Sequence, residues 1–416
     1  MKVLIIGSGG REHTIAWKLQ QSPLVTEIFC APGNAGTTQI ATNVEINSND
    51  MDQLVEFAER NAIDLTVVGP EEPLVNGIVD KFREKNLSII GPDKNGAQLE
   101  GSKAFAKAFM DKYHIPTAKY DEVHTLEEGI AALEKYSYPV VVKADGLAAG
   151  KGVFICESKE EAAAAMKELL EDQILGDAGK DVVIEEFLSG IETSILCFVD
   201  GKTIVPMVSS QDHKRAFDGD QGPNTGGMGT YSPNYVYTED IEKRVEREIL
   251  APTLYGIQKE EMDYRGIVFI GLMITDHGPK VLEYNVRFGD PETQVVLPRL
   301  ETDLVQIFNS IIHGKLEDMN IQWTENGAVC VILASGGYPN QYEKGLEITG
   351  LEEMEDLLIF HSGTTMSGGK MVTAGGRVLG VVAIDKNTEE ARNKVYRNID
   401  KIKFEGSFYR RDIGTK

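Results

Sequence analysis

Positive charge is scarce in this sequence: 42 Lys and Arg stand against 65 Asp and Glu in 416 residues, a formal net charge of −23. That balance argues against a general nucleic-acid or membrane-surface binder, which needs a net positive face. Cysteine is scarce as well. Cys30, Cys156, Cys197 and Cys330 lie far apart with no C-x-x-C pair, which argues against a disulfide framework or zinc site and for buried, reduced thiols. The scattered histidines include no H-x-x-x-H pair, so a zinc hydrolase is not indicated. The longest apolar stretch, Ile267 to Ile274, falls far short of the roughly 20 residues that cross a membrane. The opening MKVLIIGSGG has too short an apolar run for a signal peptide and leads straight into a glycine turn. There is no internal repeat and no low-complexity tract. A soluble, cytoplasmic protein is expected.

What is present is ordinary globular composition, 26% charged and 42% hydrophobic, long enough for about two to four domains at roughly 100–200 residues each. Glycine is the outlier. The 42 glycines are about one residue in ten, against a usual ~7%, and should mark sharp turns or close approach of backbone to a ligand.

The first hundred residues alternate short apolar strands (Val3–Gly7, Glu27–Ala31, Leu65–Gly69, Ser88–Gly91) with helical stretches (Arg11–Gln21, Asp50–Arg60, Leu74–Asn86). That rhythm predicts a parallel sheet covered on both faces, with ligands at the carboxyl ends of its strands. A helix capped by Ser102 follows. Then comes a small α+β unit whose helices open at Thr125-Leu-Glu-Glu128 and Ser158-Lys-Glu-Glu161, both readable as capping boxes. From Ser194 to Asn285 longer strands predict an antiparallel sheet, interrupted by a polar, glycine-rich stretch from Gln211 to Ser232. Pro291–Gly314 reads as helical, Trp323–Gly327 as a linker, and the last block runs from strand Ala328–Ser335 to helix Glu389–Ile402.

Four segments can carry chemistry. Gly7-Ser-Gly-Gly-Arg-Glu-His13 follows the first strand, and amides freed by Gly9 and Gly10 at a helix start can hold a phosphate or carboxylate. Glu12 stands where a dinucleotide fingerprint wants glycine, and the second strand lacks the ribose-binding acid, which argues against a nicotinamide site. A plain strand-to-helix turn fits the same residues. Lys143-Ala-Asp-Gly-Leu-Ala-Ala-Gly-Lys-Gly-Val153 sits between two strands. Its glycines can curl amides around phosphate oxygens while lysine adds charge, although it is not a Walker A loop and a simple glycine hairpin is the alternative.

In Leu282-Glu-Tyr-Asn-Val-Arg287, strand alternation puts Glu283 and Asn285 on one face, two oxygens suited to Mg²⁺, with Arg287 next on that face to neutralise developing anionic charge. An exposed strand with solvated side chains would look similar. The stretch 211–229 is too polar for a core, and its mixed charges (Asp212, Lys214, Arg215, Asp218, Asp220) would suit a zwitterionic substrate, a mobile surface loop being the alternative.

Taken together, these segments resemble the ATP-grasp ligases, and within them the phosphoribosylamine–glycine ligase family. The resemblance rests on GSGGREH, PGNAG (32–36), GPEEPLVNG (69–77), GSKAFAK (101–107), KADGLAAGKGV (143–153), EEFLSGIE (185–192), QDHKR (211–215), NTGGMG (224–229), EYNVRFGDPETQ (283–294) and FYRRDIG (408–414). It implies an α/β and α+β multidomain fold. Its parts would be a Rossmann-like domain over 1–101, a connecting helix over 102–121, an ATP-grasp lid over 122–187, a central ATP-grasp domain over 188–325 and a small C-terminal α+β domain over 326–416.

The implied activity is ATP-dependent ligation of glycine to 5-phosphoribosylamine through a glycyl phosphate. By the same resemblance, Lys103, Lys143, Gly150, Lys151 and Gly152 would contact ATP phosphates. The backbone of Glu185, Glu186, Phe187 and Leu188 would meet adenine, and Glu192 the ribose. Glu283 and Asn285 would hold Mg²⁺ or Mn²⁺. Arg287, Lys143 and Asp212 would be catalytic, and Gly9, Gly10, Glu12, Asp212, Lys214, Arg287, Pro291 and Glu292 would line the substrate pocket. Expected partners are the two small substrates, with no nucleic acid and no membrane, on a monomer or weak homodimer. The rival readings are another ATP-grasp ligase or purine-pathway carboxylase, a nucleotide-binding dehydrogenase, and an ATP-binding regulator without catalysis.

Overall fold

The parallel strands expected at the start form, in a computed structural model that describes residues 1–148 and 152–415. Lys2–Gly7 lies between Glu27–Pro32 and Leu65–Val68, with Thr42–Asn43 and Ile89–Pro92 at the outer positions, all parallel. Their side chains are apolar on both faces, so helices cover both sides. Leu4 and Ile6 pack with Leu54, Phe57 and Phe82, while Val3 and Ile5 pack with Ile15 and Leu19. Each such buried side chain contributes about 1.5–3 kcal/mol relative to exposure.

This sheet does not stop at the end of the first block. Ile89–Pro92 pairs antiparallel with the start of Tyr264–Thr275 (Tyr264 opposite Pro92, Arg265 opposite Gly91). Tyr264–Thr275 then pairs antiparallel with Ile191–Val199 and Gly278–Asn285, making one nine-stranded sheet. Of these antiparallel pairs only Tyr264–Thr275 with Gly278–Asn285 is a direct hairpin; the other two join strands far apart in the chain. The first and central blocks therefore share two hydrophobic cores.

The lid is separate. Tyr120–Val123, Val182–Glu186, Val140–Ala144 and Val153–Cys156 form an antiparallel sheet in that order, backed by helices Leu126–Leu133 and Lys159–Leu170 around their own core. Thr125 and Ser158 cap the two helices by accepting from Glu128 N and Glu161 N. The acids at those third positions reach back to His124 N and Glu157 N, one residue earlier than a capping box requires.

Two expected helices are broken. The stretch from Leu74 divides into Glu71–Val75 and Ile78–Glu84 because Gly77 adopts φ +90°. The stretch after Pro291 divides into Thr293–Val296, a short turn at Leu297–Arg299, and Leu304–His313, which Asp303 caps.

The larger departure concerns 211–232. Gln211–Asp212 and Gly229–Ser232 are strands of the C-terminal sheet, whose order is completed by Gly327–Ala334, Arg377–Asp385 and Leu358–His361. The residues between them fold as a hairpin, Arg215–Phe217 against Gln221–Asn224. No helix among the described residues is long and apolar enough to cross a membrane.

Candidate functional site

Between lid and body lies a cleft floored by Gly278–Asn285 and walled by Val140–Ala144, Val153–Cys156 and helix Lys103–Lys112. The helix brings its start to the lid: Ser102 Oγ and Ala104 N both donate to Asp145 Oδ1, at 3.0 and 2.7 Å. At the helix's first position, Lys103 reaches the carbonyls of Asp145 and Gly146 at 3.4 and 3.3 Å, and burial pushes its ammonium below the ordinary lysine range. Lys143 lies across the cleft, 2.8 Å from Glu185 Oε1.

Glu283 and Asn285 share a face of their strand, as the alternation predicts. The Glu283 carboxyl is held down to about 2, chiefly by Lys214, with Lys143, Lys103 and Arg287 adding to it against the opposing effect of burial. Arg287 Nη2 donates to Asn285 Oδ1 at 3.1 Å and pairs with Glu100 Oε1 at 2.7 Å, while Nε lies 3.3 Å from Glu71 Oε2 in a geometry that makes no hydrogen bond. Burial pushes the Glu100 carboxyl up to about 7 even with Arg287 beside it.

An ionised carboxylate beside an amide oxygen is a hard, two-oxygen donor set. It fits a cation that takes its remaining ligands from phosphate and water. Among the described residues no group of three or more His, Cys, Asp or Glu is placed to hold a metal, so protein atoms alone would not complete such a site.

Lys214, expected with the substrates, lies 3.4 Å from Glu192 and 3.5 Å from Glu283, the residues expected at the ribose and the metal. At the expected adenine edge, Glu186 N already donates to Lys119 O, and the Glu186 carboxylate accepts from Lys280 at 3.0 Å. Strand pairing ends at Glu186, so Phe187 and Leu188 are the residues whose backbone leaves the ladder there. Leu188 packs with Ala118, Met273 and Leu282 into an apolar floor. Gly152 lines the cleft, whereas Gly150 and Lys151 lie outside the described residues.

The second half of the site adjoins the carboxyl end of the first strand. Glu12 accepts from Gly9 N, and Arg11 N donates to Asp290 Oδ2 at 3.3 Å, so two carboxylates already stand at the helix start that was expected to face a ligand. The Glu12 carboxylate fits only because Gly69 faces it; a Cβ there would come within 1.8 Å of Glu12 Oε1. Gly10 lies between Gln294 and Ser362. Asp212 packs across Gly227, at φ +116°, from Pro291, and burial pushes the Asp212 carboxyl well above the usual range, with Glu292 adding to the effect. Burial raises Glu292 too, and Ser194 Oγ donates to it at 3.2 Å.

Arg377, from the C-terminal sheet, ties these pieces together. Its Nη1 donates to Gly226 O at 2.6 Å and Asp290 O at 2.8 Å, and its Nη2 lies 3.5 Å from Asp290 Oδ1. The hairpin beyond is gripped by the chain's last residues. The fully buried Arg410 donates to Arg215 O at 3.0 Å and Asp220 Oδ1 at 2.8 Å, and Asp412 accepts from Gly219 N at 2.8 Å.

Sequence reading singled out neither Glu71, Glu100 and Asp290 nor Arg377. The first three lie inside or next to quoted motifs and could have been found as unpaired acids flanking Lys103 and Arg287. Arg377 had no local signal, because the Gly226 carbonyl it holds lies 151 residues away in the chain.

With this geometry in hand, likeness to known proteins is informative. Models of phosphoribosylglycinamide synthetase match most of the chain: the N domain at residues 1–100, the ATP-grasp (A) domain at 101–293 and the C domain at 328–416. Two curated relatives are phosphoribosylamine–glycine ligases. The one from Clostridium acetobutylicum is 52% identical over 414 residues, covering 100% of this chain and 99% of the relative. The one from Halalkalibacterium halodurans is 52% identical over 417 residues, covering 100% and 97%. The crystal structure of the Thermotoga maritima phosphoribosylamine–glycine ligase superposes with a TM-score of 0.88 at 39% identity, covering 99% of this chain and 100% of that one. The biotin carboxylase domain of Hydrogenobacter thermophilus 2-oxoglutarate carboxylase, solved with MgADP and bicarbonate, reaches 0.75 at 16% identity over 98% and 91%, a likeness of fold. The chain is an ATP-grasp carbon–nitrogen ligase and belongs to the phosphoribosylglycinamide synthetase family.

Proposed function

We infer that the protein joins glycine to 5-phosphoribosylamine at the expense of ATP, passing through glycyl phosphate to glycinamide ribonucleotide, ADP and phosphate. The observation that carries this reading is the meeting of four cations, Lys103, Lys143, Lys214 and Arg287, around Glu283 and Asn285 in one cleft. The carboxylates of Asp212, Asp290 and Glu292 lie on its other side.

A free carboxylate is a poor electrophile because its leaving group would be oxide. Phosphorylating it supplies a good leaving group, and phosphoryl transfer needs positioning and charge neutralisation more than a strong base. Lys103 and Lys143 orient the phosphates from the two walls of the cleft. Phe187 and Leu188 present backbone groups to the adenine edge, and Glu192 receives the ribose hydroxyls. Lys214, already between the ribose and metal residues, faces the terminal phosphate as glycine's carboxylate attacks. Arg287, held by Glu71 and Glu100, spreads its charge over the acyl phosphate. Asp212 and Glu292 receive the ammonium of glycine and the amine of phosphoribosylamine, with Gly9, Gly10 and Glu12 shaping the sugar side and Pro291 the wall between.

Glu283 and Asn285 are the residues that would hold Mg²⁺ or Mn²⁺, whose chemistry is to neutralise phosphate charge. The lid, residues 122–187, excludes water from the acyl phosphate, which would otherwise hydrolyse.

The test is ADP release with Mg-ATP, glycine and freshly formed phosphoribosylamine. Omitting glycine should bring release to background. Equal release without glycine would discard the reading in favour of an ATPase or another ligase.

A further inference from the structure

We propose that Lys107 is a positioning residue for nucleotide binding: from the body it holds Glu185 of the lid, and through Glu185 it sets where the Lys143 ammonium stands. The proposal rests on the reading of the cleft as the ATP site.

Helix Lys103–Lys112 places Lys107 one turn beyond Lys103 on the same side, but deeper, and its side chain is only 2% exposed. The helix belongs to the body, because Ala106, Phe109 and Met110 join the core shared by the first and central blocks. Lys107 Nζ lies 3.2 Å from Glu185 Oε2, 2.8 Å from Thr117 Oγ1 and 3.5 Å from Ala118 O. Thr117 is itself anchored to the cleft floor, since its hydroxyl donates to Val281 O at 2.7 Å and Val281 N donates to Pro116 O at 2.7 Å. Lys107 is therefore fixed to the floor at one end of its contacts and to a lid strand at the other.

Glu185 is divided between two lysines. Its Oε2 faces Lys107, and its Oε1 faces Lys143 at 2.8 Å, with the carboxylate side chain 3% exposed. Fold stability alone does not call for this arrangement. A buried lysine carries a desolvation cost that an apolar side chain of similar length avoids. Burial here brings the Lys107 ammonium down to about 8 in spite of Glu185. What the charge supplies is direction. With both oxygens engaged, the carboxylate cannot rotate, and Lys143 is shared with the cleft. Without Lys107, Glu185 turns wholly to Lys143, which then offers less charge to phosphate.

The full-length enzyme as Lys107→Met, Lys107→Arg, Lys143→Ala and the double variant Lys107→Met/Lys143→Ala tests this. Kd for Mg-ATP is read by calorimetry, with kcat and the glycine KM from ADP release. Lys107→Met should weaken Mg-ATP about tenfold, change kcat less than about threefold and leave the glycine KM unmoved, with Lys107→Arg recovering most of the loss. In the Lys143→Ala background the same change should cost less than about twofold, because its effect passes through Lys143.

An unchanged Kd in Lys107→Met, or an equal loss in both backgrounds, overturns the proposal. So does a general fall in the folded fraction that shifts all three constants together. If Lys107→Met does not fold, Lys107→Gln takes its place. If Lys143→Ala itself binds Mg-ATP normally, the reading of the cleft fails, and that outcome is distinct from failure of the Lys107 link.

Discussion

The two halves of the site differ in charge and in construction. The proposed nucleotide half is rich in cations: Lys103, Lys143, Lys214 and Arg287 converge on the ionised Glu283, with Glu71, Glu100, Glu185 and Glu192 as their further partners. The proposed substrate half is rich in carboxyls: Asp212, Asp290 and Glu292 are buried together, with Arg11 and Arg377 against Asp290. Each half complements what it would receive, polyphosphate on one side and amines on the other. They also differ in stability. Burial raises Asp212 and Glu292, so their ionised forms oppose folding, whereas Glu283 is held ionised by its neighbours and supports it. Asp212 and Glu292 are thus positions where folding free energy is given up for function, as is Glu100 beside Arg287.

The largest expected effect falls on the nucleotide half. Lys143→Ala or Glu283→Ala should lower ADP release by about 10²–10³-fold, with circular dichroism and melting temperature near those of the parent. Near-normal turnover at saturating Mg-ATP would misplace the cationic half.

Asp212→Asn contrasts the halves directly. Turnover should fall about 10–10²-fold, yet the variant should melt higher at pH 8. The sign follows from linkage. A carboxyl whose folded pKa lies above its unfolded value favours folding most when protonated, and that contribution is lost as pH rises from the unfolded value through the folded one. The gain in melting temperature should therefore shrink as pH falls toward 4. A variant less stable at pH 8 would show that Asp212 is not held at a cost.

Arg410→Met removes the clamp on the hairpin. A loss of about 1–3 kcal/mol in urea unfolding is expected, with a few-fold rise in the glycine KM and little change in Kd for Mg-ATP. Equal changes in both constants would mean that the halves are not separable.

The smallest effect concerns the thiols. Burial pushes Cys156 of the lid up to about 11 and Cys30 of the body up to about 12, so neither should react with a thiol reagent at pH 8 in the native protein. With rising urea, Cys156 should label first, because the lid has its own small core. Simultaneous labelling would make lid and body one cooperative unit.

The nucleotide half was the more legible in the sequence, and the reason is physical. Lys143, Glu283 and Asn285 stand on single strands, where spacing of two fixes a shared face, so local pattern carried the geometry, and Arg287 follows two residues past the strand's end. Ser102, Thr125 and Ser158 announced helix starts by the same locality. Lys214 was expected among the substrates because its neighbours in sequence carry mixed charge. Its position between Glu192 and Glu283 depends on how a hairpin folds back across the central sheet, which no window of residues records. Glu12 was read as a neighbour of an open helix start, but its carboxylate turns back onto Gly9. Arg377 had no local pattern, and the role of Arg410, though it lies in the quoted 408–414 motif, was hidden for the same reason: Gly226 and Asp220, which they hold, lie 151 and 190 residues away.

One feature of the C-terminal sheet reaches beyond the site. Because Gln211–Asp212 and Gly229–Ser232 are its strands, the sheet is stitched from a segment inside the central block and from the chain that follows it. Cutting the chain at the linker near residue 326 would not release two self-sufficient pieces. The larger fragment would keep a bare strand edge at Gly229–Ser232, a surface disposed to pair with another chain, and the smaller would lack two of its five strands. Any attempt to transplant the ligating half alone therefore has to carry the last ninety residues with it, or supply a replacement edge.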